Sequence, residues 1–274
     1  MKIVPTGAGE PRAAAFLQQH VPGRPVLMPN AWDVASAACL TALGFEAIGT
    51  SSAAVAATLG AADGAAEPMR MYESAAAIAG AVAAPVSADF EDGYAAAGVA
   101  VDDLVARSVA AGLAGISLED CPRARDEPPY PVAEASRRIR AAAQACAGRL
   151  VLTGRADGRM RDPDADLGKI IARLVAYEEA GAAVLFAPAV TEPAELRRIL
   201  DATTVPLSVM WMPGAPSIAE LADLGVARVS LGPFPMYAAY AGLAGLPDAL
   251  ATDAATFSAT AAAGADLLTR ALGG

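Results

Sequence analysis

Three carboxylates fall within four positions, Asp89, Glu91 and Asp92, just after the short apolar run Pro85-Val-Ser-Ala88 and just before Gly93. An apolar run of that length, bounded by a turn signal, predicts a buried strand. Asp89 then stands where the strand surfaces, and Glu91 points to the same side wherever the chain stays extended. Acids crowded in one place repel each other unless a cation sits between them or one takes up a proton. No Lys or Arg occurs between 71 and 106, which favours the cation. Oxygen-only ligands at a strand mouth suit Mg²⁺ or Mn²⁺ rather than zinc. The same cluster also fits a helix start, where acids are favoured.

These acids are positioned by a regular alternation. Apolar strands are predicted at Pro25–Pro29, Glu46–Thr50, 85–89, Gly115–Leu118, Leu150–Thr153, Ala183–Phe186, Val205–Val209 and Val226–Ser230. Helices follow at 34–43, 70–82, 102–111, 134–146, 166–180, 193–200, 217–224 and 233–243, several ended by Gly and one, 193–200, begun by Pro. After the second strand, a small-residue loop leads from Ser51-Ser52 to Asp63-Gly64, although its Ala-rich tract favours helix. Eight βα units in about 220 residues predict a closed (β/α)₈ TIM barrel, because parallel strands need both faces covered. No linker marks a second domain, so residues 1–274 read as one barrel domain. Residues 247–274 form a C-terminal helical extension that caps the barrel or packs on a partner.

In such barrels the active site lies at the strands' C-terminal ends. The exits present Trp32 and Asp33, Ser51 and Ser52, Asp89 and Glu91, Glu119 and Asp120, then Arg155 and Asp157, while the last three are nearly uncharged. Scattered helix caps explain some acids. They do not explain Arg155, a cation facing a helix N-terminus where it is disfavoured; a bound anion does. Trp211 and Met212 either wall a substrate or contact a lid. Asp157 either orients Arg155 or caps the next helix, with the cap favoured. Tyr94 reaches a substrate or anchors its loop, and Trp32 reads as packing.

Composition sets bounds. The 274 residues are 55% hydrophobic and 18% charged, enough for a large core, and the net charge of −10 disfavours nucleic acid and anionic membranes. No apolar run reaches 18 residues, and Met1–Glu10 lacks the character of a signal peptide. Three cysteines without CxxC spacing, Cys39, Cys121 and Cys146, fit a reducing cytoplasm. His20, the only histidine, reads as a helix end, which leaves little for a histidine-based nucleophile.

The motifs resemble the isocitrate lyase and phosphoenolpyruvate mutase superfamily over residues 25–245. The resemblance rests on Asp89-Phe-Glu-Asp-Gly-Tyr94, Ser117-Leu-Glu-Asp120, Gly154-Arg-Ala-Asp157, and Gly49-Thr-Ser-Ser52 followed by Leu59-Gly60 and Asp63. It implies a (β/α)₈ barrel whose last helix is often exchanged between subunits of a homodimer or homotetramer. It implies Mg²⁺ (or Mn²⁺) bound by Asp89, with Glu91, Glu119 and Asp63 holding its waters. A 2-oxo acid would chelate the metal, its carboxylate held by Thr50, Ser51 and Ser52 and approached by Arg155. A metal-bound keto group accepts the electrons of a bond broken beyond C3, giving an enolate.

Departures from the family narrow this. The loop Asp120-Cys-Pro-Arg-Ala-Arg-Asp-Glu-Pro-Pro-Tyr130 lacks the Lys-Lys-Cys-Gly-His motif of the isocitrate cleavers and the Lys-rich loop of the phosphonate enzymes. Arg123 or Arg125 is left as the cationic lid group, and Cys121 reads as a small buried residue. Gly232-Pro233 offers few amides to a phosphate. The function expected is a Mg²⁺-dependent lyase of a small 2-oxo acid or 2-hydroxy dicarboxylate. The alternatives are a phosphorus–carbon mutase or hydrolase and a non-catalytic 2-oxo acid binder.

Overall fold

The computed structural model describes residues 9–124, 127–252 and 254–273. Nine strands, β1 (Val26–Met28), β2 (Asn30–Ala31), β3 (Ile48–Thr50), β4 (Val86–Asp89), β5 (Gly115–Glu119), β6 (Val151–Arg155), β7 (Val184–Phe186), β8 (Leu207–Met210) and β9 (Arg228–Ser230), form one parallel sheet. Helices lie between them, as the alternation requires, except between β1 and β2. The expected eight strands become nine because Pro29, with no N–H for the ladder, splits the first. β1 pairs with β9, and β2 pairs with β3. The two halves of that split strand bring the sheet's ends together in a TIM-type barrel.

Asn30 stitches the ends. Its Oδ1 accepts the N–H groups of Leu231 and Gly232, both at 2.9 Å, and its Nδ2 donates to the Thr50 carbonyl at 2.7 Å. Gly49 makes room, since a Cβ there would lie 2.9 Å from Asn30 Nδ2.

Alternation along the strands sorts side chains between two surfaces. Ile48, Val86, Ala88, Ile116, Leu118, Leu152 and Leu185 face the helices and join the main core. The barrel interior has three layers. The lowest is apolar, with Val26, Val151 and Val184 against Phe16 from the helix Gly9–Gln18. The middle one is polar, built of Ser87, Ser117, Thr153, Ser208 and Arg228. Asp89, Glu119, Arg155 and Ser230 crown it. Gly115 admits the plug, because a Cβ there would sit 2.8 Å from the Val151 carbonyl and 3.1 Å from the Phe16 ring.

Two local expectations change. The stretch after Ser51 is helical from Ser52 to Thr58, as its alanines favour, rather than a loop. A short helix, Gly158–Arg161, precedes the anticipated one at Leu167–Glu179. The C-terminal helix Ala254–Leu272 packs on the helix Val34–Ala42. Among the described residues, no helix is long and apolar enough to cross a membrane, and the three cysteines are free thiols.

Candidate active site

β4 delivers Asp89 to the mouth of the barrel. Its backbone N–H donates to Thr50 Oγ1 at 3.0 Å, and its carboxylate accepts the N–H groups of Ser52 and Glu91, both at 3.2 Å. The chain does not stay extended beyond it. Glu91 takes a left-handed φ of 50°, a conformation costing about 1–2 kcal/mol for a residue with a Cβ. The turn is held by β5, since the Phe90 N–H donates to the Ser117 carbonyl and the Glu119 N–H to the Glu91 carbonyl. Glu91 is thereby buried facing the mouth, whereas Asp92 turns away. Asp92 accepts Tyr94 N–H at 2.9 Å and the Tyr130 hydroxyl at 2.7 Å.

The base missing between 71 and 106 is supplied from elsewhere in the chain, so guanidiniums share with any cation the task of offsetting these acids. Arg123 donates Nε to Glu91 Oε2 and Nη2 to the Ala66 carbonyl. Arg155 is gripped by both oxygens of Asp157, with Nη2 at 2.9 Å from Oδ2, and reaches Asp89 at 3.2 Å and Glu119 at 3.3 Å. Arg161 stands 3.8 Å from Glu119. Asp157 makes no side-chain cap bond to the following helix, so the favoured cap reading gives way to orientation of Arg155.

Ser52, Asp63, Glu91, Glu119, Arg123, Arg155, Asp157 and Arg161 line one pocket. Asp63, Asp89 and Arg155 also border a second, of about 150 Å³, that reaches Thr50 and Ser51 and descends into the barrel. Across the two pockets five carboxylates face four guanidiniums, Arg228 included, a formal excess of one negative charge. Burial, with repulsion from Asp89 and Asp63 against the pull of Arg123, raises Glu91 to about 7. Burial and the neighbouring Asp157 raise Glu119 well above the usual range. Glu91 Oε1 is buried without a partner.

Thr50, Ser51, Ser52, Asp63, Asp89, Glu91, Glu119 and Arg155 therefore come together. Trp211 does not. Ser208 and Met210 of β8 turn inward, so Trp211 falls outside, 45% exposed, with its indole donating to the Pro216 carbonyl at 3.1 Å. Asp120 also leaves the mouth and is buried against Tyr177, Arg173 and the Asp157 N–H. Tyr94 is a packed anchor, 1% exposed. Cys121 is buried, and burial pushes its thiol pKa up. Arg125 lies outside the described residues. The amides of Leu231 and Gly232 are taken by Asn30, so the Gly232-Pro233 turn has few to offer. Sequence reading missed Arg161 and Arg228. Arg228 had a signal, a charge inside a strand otherwise buried on both faces.

The chain's relatives agree with this architecture. Residues 16–251 match the family model of phosphoenolpyruvate phosphomutase. An uncharacterized protein of Mycobacterium tuberculosis is 35% identical over 221 residues, spanning 81% of this chain and 83% of its own. A Burkholderia cenocepacia J2315 structure, provisionally described as a lyase/mutase, is 34% identical with a TM-score of 0.85, covering 94% of this chain and 95% of its own. The structure of 2,3-dimethylmalate lyase, a PEP mutase/isocitrate lyase superfamily member, shares the fold at 24% identity and a TM-score of 0.77, covering 89% and 88%.

Proposed function

The chain belongs to the phosphoenolpyruvate phosphomutase family, and on that premise we propose a divalent-metal-dependent carbon–carbon lyase acting on a small 2-oxo acid or 2-hydroxy dicarboxylate. The carrying observation is Arg155, clamped by Asp157 and turned toward Asp89 and Glu119 at the mouth of a small cavity. A guanidinium fixed in that way is built to meet a carboxylate in a defined orientation.

The residues present fit a divalent cation. Their donors are carboxylate oxygens, their summed charge is negative, and Glu91 Oε1 is buried and unsatisfied. Asp89 would bind the cation directly, with Glu91, Glu119 and Asp63 holding waters; among the described residues no three acids already close on one point. When bound, the cation supplies Lewis acidity to a keto oxygen. The protein does the rest. Arg155 holds the substrate carboxylate from one side, and the hydroxyls of Thr50 and Ser51 border the other. The Ser52 amide is already committed to Asp89 and so orients the metal ligand rather than the substrate. Arg123 ties the loop after β5 down on Glu91 and Ala66, the place of the family's missing cationic loop, and so limits water.

The exposed apolar residues Leu243, Leu250 and Phe257 of the C-terminal helices favour a homodimer or homotetramer, with helix exchange one way to cover them. Three free thiols suit the cytoplasm.

The test is turnover of a panel of 2-oxo acids and 2-hydroxy dicarboxylates with Mg²⁺ and with EDTA, for wild type and Asp89→Ala. Cleavage that needs both Mg²⁺ and Asp89 supports the lyase. Phosphate release or isomerisation of phosphonopyruvate instead assigns phosphorus–carbon chemistry. Mg²⁺-dependent binding without turnover of any compound leaves a binder and sinks the enzyme.

A further inference from the structure

The cavity does not end at the ring of carboxylates. It continues down to Arg228, which opens β9 and lies two residues, about 6–7 Å, below Ser230 at the strand's end. Arg228 is 2% exposed. Its Nε donates to Ser208 Oγ at 2.8 Å and its Nη2 to Thr153 Oγ1 at 3.2 Å, while Nη1 stands 3.3 Å from His20 Nε2. These are all neutral groups. Among the described residues no carboxylate forms an ion pair with it, unlike Arg155 and Arg123 above. A guanidinium has five donors, and three are placed by these contacts.

The setting is unusual for such a barrel. The interior is ordinarily packed with bulky branched side chains. Here small hydroxyl residues, Ser87, Ser117, Thr153 and Ser208, share the cavity wall with Met28 and Phe186, above the apolar plug of Val26, Val151, Val184 and Phe16. That leaves a hollow with hydroxyls around Arg228 and Met28, Phe186 and Met210 on its other walls, and a lone cation at its inner end. A buried charge without a counter-charge is costly. Desolvation alone acts on this one and pulls it down to about 9. A ligand that carries the missing negative charge relieves that cost.

We propose that Arg228 is the floor of an internal carboxylate subsite, so that the substrate is a dicarboxylate, one carboxylate held at the mouth and the second reaching down to Arg228. This deepens the lyase reading and rests on it for the position of the first carboxylate. It narrows the substrate class, because a monocarboxylic 2-oxo acid leaves the floor charge unanswered.

The test compares acids of equal length with Mg²⁺ present, by calorimetry and thermal melts in chloride-free buffer. The pairs are 2-oxoglutarate with 2-oxovalerate, and succinate with butyrate. For wild type the expected result is at least tenfold tighter binding of the dicarboxylate in each pair. For Arg228→Gln the preference should fall below threefold while 2-oxovalerate binding is unchanged. Arg228→Lys, which keeps the charge without the fork, should retain part of it. A merely structural Arg228 would shift melting temperature alike for every ligand and leave the preference intact. Equal binding within both pairs by wild type overturns the subsite whether or not any variant folds. So does a preference that survives Arg228→Gln, or a chloride titration matching succinate. If succinate is preferred through Arg228 but no 2-oxo acid or 2-hydroxy dicarboxylate is turned over, the subsite stands and the lyase reading falls. If 2-oxo acids bind without regard to the distal carboxylate but are turned over, the lyase reading stands and the subsite falls.

Discussion

Asp120 accepts the backbone N–H of Asp157 at 2.9 Å, and so fixes the residue whose own carboxylate clamps Arg155. Its other oxygen takes the Tyr177 hydroxyl at 2.6 Å and Arg173 at 3.0 Å. An acid at a strand exit, read from sequence as part of the site, acts from behind it. Asp120→Ala leaves Arg173 without its carboxylate partner and should cost about 3–5 kcal/mol in urea unfolding. Asp120→Asn keeps an oxygen for the Asp157 amide and should cost less.

Arg155→Lys replaces a fork held at two points with a single ammonium. Losing a buried, charge-assisted pair of about 3–4 kcal/mol predicts a fall in kcat/KM of roughly 10²–10³-fold on whichever acid is turned over. Asp157→Asn leaves Arg155 in place with a weaker clamp, so its loss should be smaller. Equal activity of Arg155→Lys and wild type would remove Arg155 from the substrate.

His20 is buried between Phe16 and Arg228, and burial together with that cation lowers its pKa to about 3. The unfolded value is about 6.5, so between those values the unfolded chain binds the extra proton. The stability it contributes is complete above about pH 6.5 and declines as pH falls toward 3, by up to about 1.4 kcal/mol per pH unit. His20→Gln should flatten the pH dependence of unfolding between pH 7 and 5 relative to wild type. Parallel curves would show that His20 is not buried neutral.

Gly115 faces the bottom plug with no room for a methyl group. Gly115→Ala should push on the Val151 carbonyl and Phe16, lowering stability by about 1–3 kcal/mol. Phe16→Ala, which empties the plug, should cost about 3–5 kcal/mol. Thermal or urea unfolding measures both.

The strands were legible because each is an apolar run closed by a turn, and the exits then named Asp89, Glu119 and Arg155. Partners across the barrel were not legible. Glu91 and Asp92 are neighbours in sequence, yet one positive φ sends one to the mouth and the other behind it. Arg123 meets Glu91 across 32 positions, which no local pattern records. Trp211 was placed one residue past an inward Met210, and that single step of alternation reverses its side. Pro29 was visible as a strand end, but only three-dimensional closure shows it dividing one strand between two neighbours.

The division at Pro29 bears on how the barrel assembles. β1 waits for β9, some 200 positions later, and Asn30 cannot engage Leu231 and Gly232 until that strand arrives. Closing so long a loop is slow relative to local pairing. The growing chain therefore carries two raw sheet edges until β9 is made, and within the sheet the seam at Asn30 cannot zip before then.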